Sequence, residues 1–421
     1  MLLKNKPAIG ILCLALLVFL SACNRSTASN APAPILSSPL VRVSAEGVDA
    51  AEPAMGVAPD GSFYLAWVNH EPNNRADVMI GRYEPGKTPA APVRVNPEAG
   101  TATAWRGDQP SVAVGKSGAV YVVWTTRVES DGRKGTDIYL SVSSDMGRSF
   151  GTPVKINDDK VPAAHGMHSL DVADDGRIYV SWLDERNVAA PKPSAKADGH
   201  HMESNRELFI ADSTDGGRTF SRNRKIAGDA CPCCKTALAV AADGTVYVSW
   251  RHVLPGNYRH IAVSSSTDSG MTFSKPVIVS DDKWMLHGCP VSGPSLSVAD
   301  NGTLKVLWYA AGEANAPGLY FAESKGKGQS FSPRQLLAQE GVRGTPVLVA
   351  GKNSDIAIWE MAGTGGAETR FRAVGKDGPT TTVGANVELP AAAFSKDELF
   401  VAYVSKEKEK RSVWLIKADN R

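Results

Sequence analysis

Short apolar runs, each closing on an aromatic residue, recur along the chain: Phe63-Tyr-Leu-Ala-Trp67, Val120-Tyr-Val-Val-Trp124, Ile178-Tyr-Val-Ser-Trp182, Val246-Tyr-Val-Ser-Trp250, Leu304-Lys-Val-Leu-Trp308, Ile356-Ala-Ile-Trp359 and Leu399-Phe-Val-Ala-Tyr403. A turn precedes each aromatic: Asp60-Gly61, Ser117-Gly118, Asp175-Gly176, Asp243-Gly244 and Asn301-Gly302, weakening to Lys352-Asn353 and Lys396-Asp397 in the last two copies. Asp-Gly and Asn-Gly are strong hairpin signals because both residues accept positive φ. Each copy adds a strand before the turn, such as Ser111–Val114, then an alternating third strand, such as Asp137–Ser141. A fourth follows, such as Pro153–Ile156 or Pro276–Val279. Four antiparallel strands repeated in this way predict the blades of an all-β propeller rather than a solenoid. Counting the aromatics gives a seven-bladed β-propeller, with six blades as the alternative. The last copy lacks a fourth strand, and Pro39–Val43 has the pattern to supply it, closing the ring with the opposite end of the chain.

The N-terminus reads as an export signal. Lys4 and Lys6 precede an apolar run from Ile9 to Leu20, which is too short to span a bilayer. Leu20-Ser21-Ala22-Cys23 then resembles the lipobox of bacterial lipoproteins, which implies cleavage before Cys23 and lipidation of its thiol. Asn24 in place of an aspartate implies delivery to the outer membrane. The predicted organisation is a signal peptide over 1–22, a lipidated cysteine and flexible tether over 23–39, and one propeller over 40–421. The expected localisation is exported and lipid-anchored, on a periplasmic or surface face. With 46 basic and 44 acidic residues, no nucleic-acid partner is expected, and the protein is read as a monomer.

After the third strand, three copies carry Ser143-Ser-Asp145-Met-Gly147-Arg-Ser-Phe150, Ser213-Thr-Asp215-Gly-Gly217-Arg-Thr-Phe220 and Ser266-Thr-Asp268-Ser-Gly270-Met-Thr-Phe273. A fourth, Ser324 to Phe331, has Gly326 where the aspartate belongs. These resemble the Asp-box (BNR) repeats of the sialidase-like superfamily. The boxes imply a fold and not a reaction. Sialidases are similar in fold, but their Arg-Ile-Pro segment is missing here and they generally have six blades.

Loop order sorts residues by face. Loops leading into the first strand of a blade, and those following its second, share one face around the channel; Asp boxes and Asp-Gly turns occupy the other. Onto the first face fall His165-Gly-Met167-His168, Cys231-Pro-Cys233-Cys234 and Met285-Leu-His287-Gly-Cys289-Pro290, with His200-His201-Met202 in a long insertion. Aligning Gly244 with Gly302 sets Cys231-Pro232 on Cys289-Pro290. Three readings stay open for the cysteines: disulfides in an oxidising compartment, a metal site, or a reactive thiol. Cys231, Cys233, Cys234 and Cys289 with Met167, His165, His168 and His287 form a donor set that suits copper, and Cys with His alone would suit zinc.

The same face gathers Arg106, Arg186, Arg251 and Arg343, which could clamp an acidic glycan, with Glu52, Asp108, Asp184, Glu360 and Glu388 as carboxylates and Tyr309 as a tyrosine nucleophile. His70 and His260 read as solvated edge residues. The functional expectation is a binding protein with a Cys/Met/His site. An exo-acting, sialidase-type glycosidase and a scaffold for a protein ligand are the alternatives.

Overall fold

The computed structural model describes residues 40–418, apart from 189–203, 314–315, 340, 353, 364, 376–377 and 408. The signal peptide, Cys23, the tether and His200-His201-Met202 lie outside the described residues. The described residues are built of strands, with a single short helical turn at Pro72–Asn74.

Apart from Ala102–Thr103, which bridges the first two sets, the strands among the described residues pair antiparallel in seven sets of four, hereafter blades in chain order. The repeat is clearest in the fourth, where Ala237–Val240, Val246–Leu254, Tyr258–Ser266 and Val277–Ile278 pair in sequence. The last set takes Val387–Ser395, Glu398–Glu407 and Lys410–Ala418 from the C-terminal end and Val41–Arg42 from the N-terminal end. Val41 sits opposite Leu415 and Arg42 opposite Trp414. Val43 N–H extends the pairing to the Val413 carbonyl at 2.9 Å. A strand from the far end of the chain thus covers an edge that would otherwise expose unpaired backbone groups.

Each repeated aromatic lies on the second strand and is buried against the preceding blade. Trp250 packs with Leu183 and Leu208, Trp308 with Tyr247 and Ile261, and Tyr403 with Ile356 and Ile358. The aromatics are therefore inter-sheet packing elements. First strands from every blade line a central channel of about 290 Å³, touched by Met55, Val112, Leu170, Leu238, Leu296, Val347 and Ala392.

The Asp boxes are hydrogen-bonded turns. Asp145 accepts from the backbone N–H groups of Arg148 and Ser149, both at 3.0 Å, and from the hydroxyls of Ser143 and Ser149 at 2.7 and 2.6 Å. Asp215 repeats this with Arg218, Thr219 and Ser213. Those donors, the Ser149 and Ser143 hydroxyls foremost, hold the Asp145 carboxyl well below the usual range.

Candidate functional site

Two loops meet where blades four and five begin. The first, Cys231 to Thr236, follows the strand Arg224–Ala230, and the Cys231 N–H donates to the Arg251 carbonyl at 2.8 Å. The second runs from Ser280 to Pro294. Their approach is so close that a Cβ on Gly293 would stand 2.1 Å from the Lys235 carbonyl oxygen, which only glycine permits. A Cys233–Cys289 disulfide joins the loops, with Cα atoms 6.1 Å apart.

Cys231 and Cys234 remain free thiols, each 1% exposed. The Cys234 S–H donates to Cys231 Sγ at 3.5 Å, and Cys231 Sγ lies 3.9 Å from Cys233 Sγ. Beside them stand two buried arginines, Arg251 and Arg259. Arg251 donates to the Ser292 and Tyr309 carbonyls, and its guanidinium stacks 4.7 Å over Trp284. Its Nη1, and the Nε and Nη1 of Arg259, are buried without a hydrogen-bond partner. Among the described residues, neither arginine has a carboxylate within ion-pair distance. Buried cations need a counter-charge, and the cysteines offer one beside the buried Asp282 carboxylate, which lies within electrostatic range of Arg251. The S–H bond from Cys234 pulls the Cys231 thiol below the ordinary range; burial opposes this, and Arg259 and Arg251 reinforce it. Burial pushes Cys234 well above that range. The two thiols are thus shifted in opposite directions.

The histidines are placed elsewhere. His165 is buried between blades two and three, with Nε2 3.3 Å from Asp159 and 3.4 Å from Asp184, while its Nδ1–H donates to the Thr136 carbonyl. Burial opposes its charge, but those two aspartates raise its pKa. Asp137, Asp159 and His165 group closely enough to hold a cation. However, Asn157 Nδ2 already bridges Asp137 and Asp159 at 2.8 and 2.7 Å, and Lys155 pairs with Asp137 at 3.0 Å. His168 contacts Ser111 Oγ at 3.0 Å, and burial holds its pKa well below the ordinary value. His287 is exposed. Met167 belongs to the same hydrophobic cluster as Cys231, Cys233 and Cys234. His70 and His260 differ from expectation, because neither is a solvated edge residue. His70 Nε2 meets buried Glu52 at 2.5 Å, and His260 is 3% exposed with Nδ1–H on the Ser280 carbonyl.

The arginines do not converge on one cavity. Arg186 is held by Asp184 and Asp158, and Asp184 also accepts from Trp182 Nε1 at 2.8 Å. Arg251 is buried, and exposed Arg343 reaches the Met361 carbonyl at 3.4 Å. Tyr309 packs edge-on against Trp284. Arg106 alone reaches the small pocket at the channel mouth, lined by Glu52, Gln109, Thr345, Glu360 and Leu389. It is paired there with Glu360, and with Glu388 at 2.6 Å. Burial pushes the Glu360 carboxyl up, against the pull of Arg106. Asp108 lies outside that pocket, accepting from the Met167 N–H at 2.7 Å, 3.8 Å from Lys235 Nζ.

Two features escaped the sequence reading. Cys231 and Cys234 stand three positions apart, a Cys-x-x-Cys spacing hidden by the intervening Cys233. Arg259 is the other. Its position one residue before His260 on the third strand of blade four carries no motif, and only the fold turns it toward the thiols.

The sheets and boxes define a sialidase-like Asp-box β-propeller. Residues 60–342 match the BNR repeat-like domain family, and the chain belongs to it. Among solved structures, a Dyadobacter fermentans protein of unknown function is similar over 91% of this chain and 99% of its own, at 14% identity and a TM-score of 0.51. A Penicillium chrysogenum α-L-arabinanase in complex with arabinobiose is similar over 74% of this chain and 93% of its own, at 14% identity and a TM-score of 0.50. A Hadza microbial sialidase is similar over 85% of this chain and 76% of its own, at 13% identity and a TM-score of 0.49. At these identities the likeness is one of fold. No curated protein matches the chain.

Proposed function

We propose that this protein is a lipid-anchored binding propeller of the outer membrane that holds a soft metal, copper as Cu(I), between Cys231 and Cys234. The reading is carried by one observation: two buried thiols 3.5 Å apart beside two buried arginines that, among the described residues, have no carboxylate within ion-pair distance. Soft thiolates select Cu(I), which accepts two or three sulfur ligands, whereas structural zinc takes four ligands from Cys and His. No histidine among the described residues reaches these sulfurs, which favours copper over zinc. Two thiolates around one Cu(I) leave a net negative charge, which Arg251 and Arg259 are placed to balance. Cys233 adds a third sulfur when its disulfide is open.

Competition against a chromogenic Cu(I) chelator under anaerobic conditions tests this. The wild-type chain is expected to withdraw about one equivalent, and the Cys231→Ser/Cys234→Ser variant none. Equal chelator loading with both proteins would sink the reading.

The channel-mouth pocket supports a second reading, an exo-acting glycosidase. There, buried Glu360 with its raised pKa has the character of a general acid, and Glu388 lies across Arg106. Turnover of a fluorogenic sialoside, lost in Glu360→Gln, would establish it. Arg106 is already matched by two glutamates, so it is a poor clamp for a substrate carboxylate.

A further inference from the structure

We infer that the four cysteines form a thiol–disulfide relay, in which the free thiol pair passes from buried Cys231 and Cys234 to Cys233 and the exposed Cys289. It uses the sulfurs of the proposed metal site but needs no metal. The inference rests on where the sulfurs stand. Cys231 Sγ lies 3.9 Å from Cys233 Sγ, one half of the disulfide, and 3.5 Å from Cys234 Sγ on its other side. Cys231, Cys233 and Cys234 are buried, whereas Cys289, the other half of the disulfide, is exposed next to exposed His287 and Gly288. A thiol thus sits within reach of a disulfide whose leaving sulfur belongs to an exposed residue.

Exchange proceeds by attack of a thiolate on a disulfide sulfur. The Cys231 thiolate attacks Cys233 Sγ. A Cys231–Cys233 bond forms as the Cys233–Cys289 bond breaks, and the electron pair leaves on Cys289 Sγ, which takes a proton from water. Cys234 Sγ then attacks Cys231 Sγ as its proton passes to the departing Cys233 sulfur, which lies in the same group of three. The Cys231–Cys234 bond forms, the Cys231–Cys233 bond breaks, and Cys233 is left as a thiol. One disulfide and two thiols are present at every stage, so no outside oxidant or reductant is consumed. Arg251 and Arg259 are buried in the same site as the attacking sulfur. Its consequence is that a chain without any exposed free cysteine among its described residues still presents a reactive thiol at its surface. That thiol suits a partner carrying a disulfide or a soft metal.

Pulsed alkylation of native, metal-free, unreduced protein, followed by acid quench and peptide mass mapping, tests the relay. In the wild-type chain Cys289 is expected to acquire label progressively. In Cys231→Ser that labelling should fall by at least tenfold, with Cys233–Cys289 found intact. Cys234→Ser keeps the first step, so Cys289 should still label while the mapped disulfide is Cys231–Cys233. Cys289 that stays unlabelled in the wild-type chain, or labels equally fast in Cys231→Ser, would overturn the proposal, as would a Cys234→Ser chain in which Cys289 never labels. Because metal is absent throughout, failure of copper binding leaves these outcomes unchanged, and a static disulfide with good copper binding would refute the relay alone.

Discussion

At the scale of single residues, Cys231 is governed by three neighbours that compete with its burial: the Cys234 S–H, Arg259 and Arg251. Its pKa is lowered to about 6, against about 8.5 for a free cysteine. In metal-free protein, alkylation of Cys231 should therefore rise with pH around a midpoint near 6, not near 8.5, and Arg259→Met should move the midpoint upward. The same shift has a stability consequence with a definite sign. The unfolded chain binds the extra proton across the window between the two values, so stability is fully present above the unfolded value and is lost as pH falls through the folded one. A Cys231 that titrates in the ordinary thiol range would show that the arginines compensate something else. None of this was legible beforehand. The sequence places Arg251 after a tryptophan, where it reads as a loop residue on the functional face, whereas the fold buries it against Trp284 and the Ser292 carbonyl.

At the scale of elements, the Asp box was readable because every part of it is local. The aspartate, the two N–H donors and the hydroxyls fall within a few residues, so a linear pattern contains the whole hydrogen-bond set. The fourth box makes the point by omission. Ser324 Oγ still accepts from the Gly328 N–H at 3.0 Å, but Gly326 offers no carboxylate. A Cβ built on Gly326 would meet nothing nearer than Ser330 Oγ at 3.9 Å, and Gly326 does not have positive φ. Gly326→Asp should thus restore the missing acceptor without strain and raise Tm by about 2 °C. An unchanged or lower Tm on calorimetry would mean that the boxes contribute little to the hold of their blades. The cysteine loops could be read only halfway. Their positions before blades four and five follow from the repeat, and so does the chance of a bridge between them. Which cysteine reaches Cys289 depends on the local turn, in which Cys231 N–H bonds the Arg251 carbonyl and Cys233 faces the neighbouring loop.

At the scale of the whole molecule, the repeat of aromatic-ended strands carried the fold, since each Trp answers to a neighbouring blade as well as to its own. The closing strand was also within reach of the pattern, as Val41 and Arg42 pair with the last strand. Convergence of side chains was not. Loop sorting puts His165, His168 and His287 on the face of the cysteines, yet the first two are turned into the junction of blades two and three, and His287 is exposed. What remains at the thiol site is sulfur and guanidinium, and that composition is the reason for a soft cation. The direct measurement is metal content by mass spectrometry, with thiol titration, on mature protein purified without chelators from an exporting host supplied with copper. The account predicts about one copper per chain, lost when Cys231 and Cys234 are both replaced by serine. Protein free of copper, or copper retained in that double variant, would contradict it.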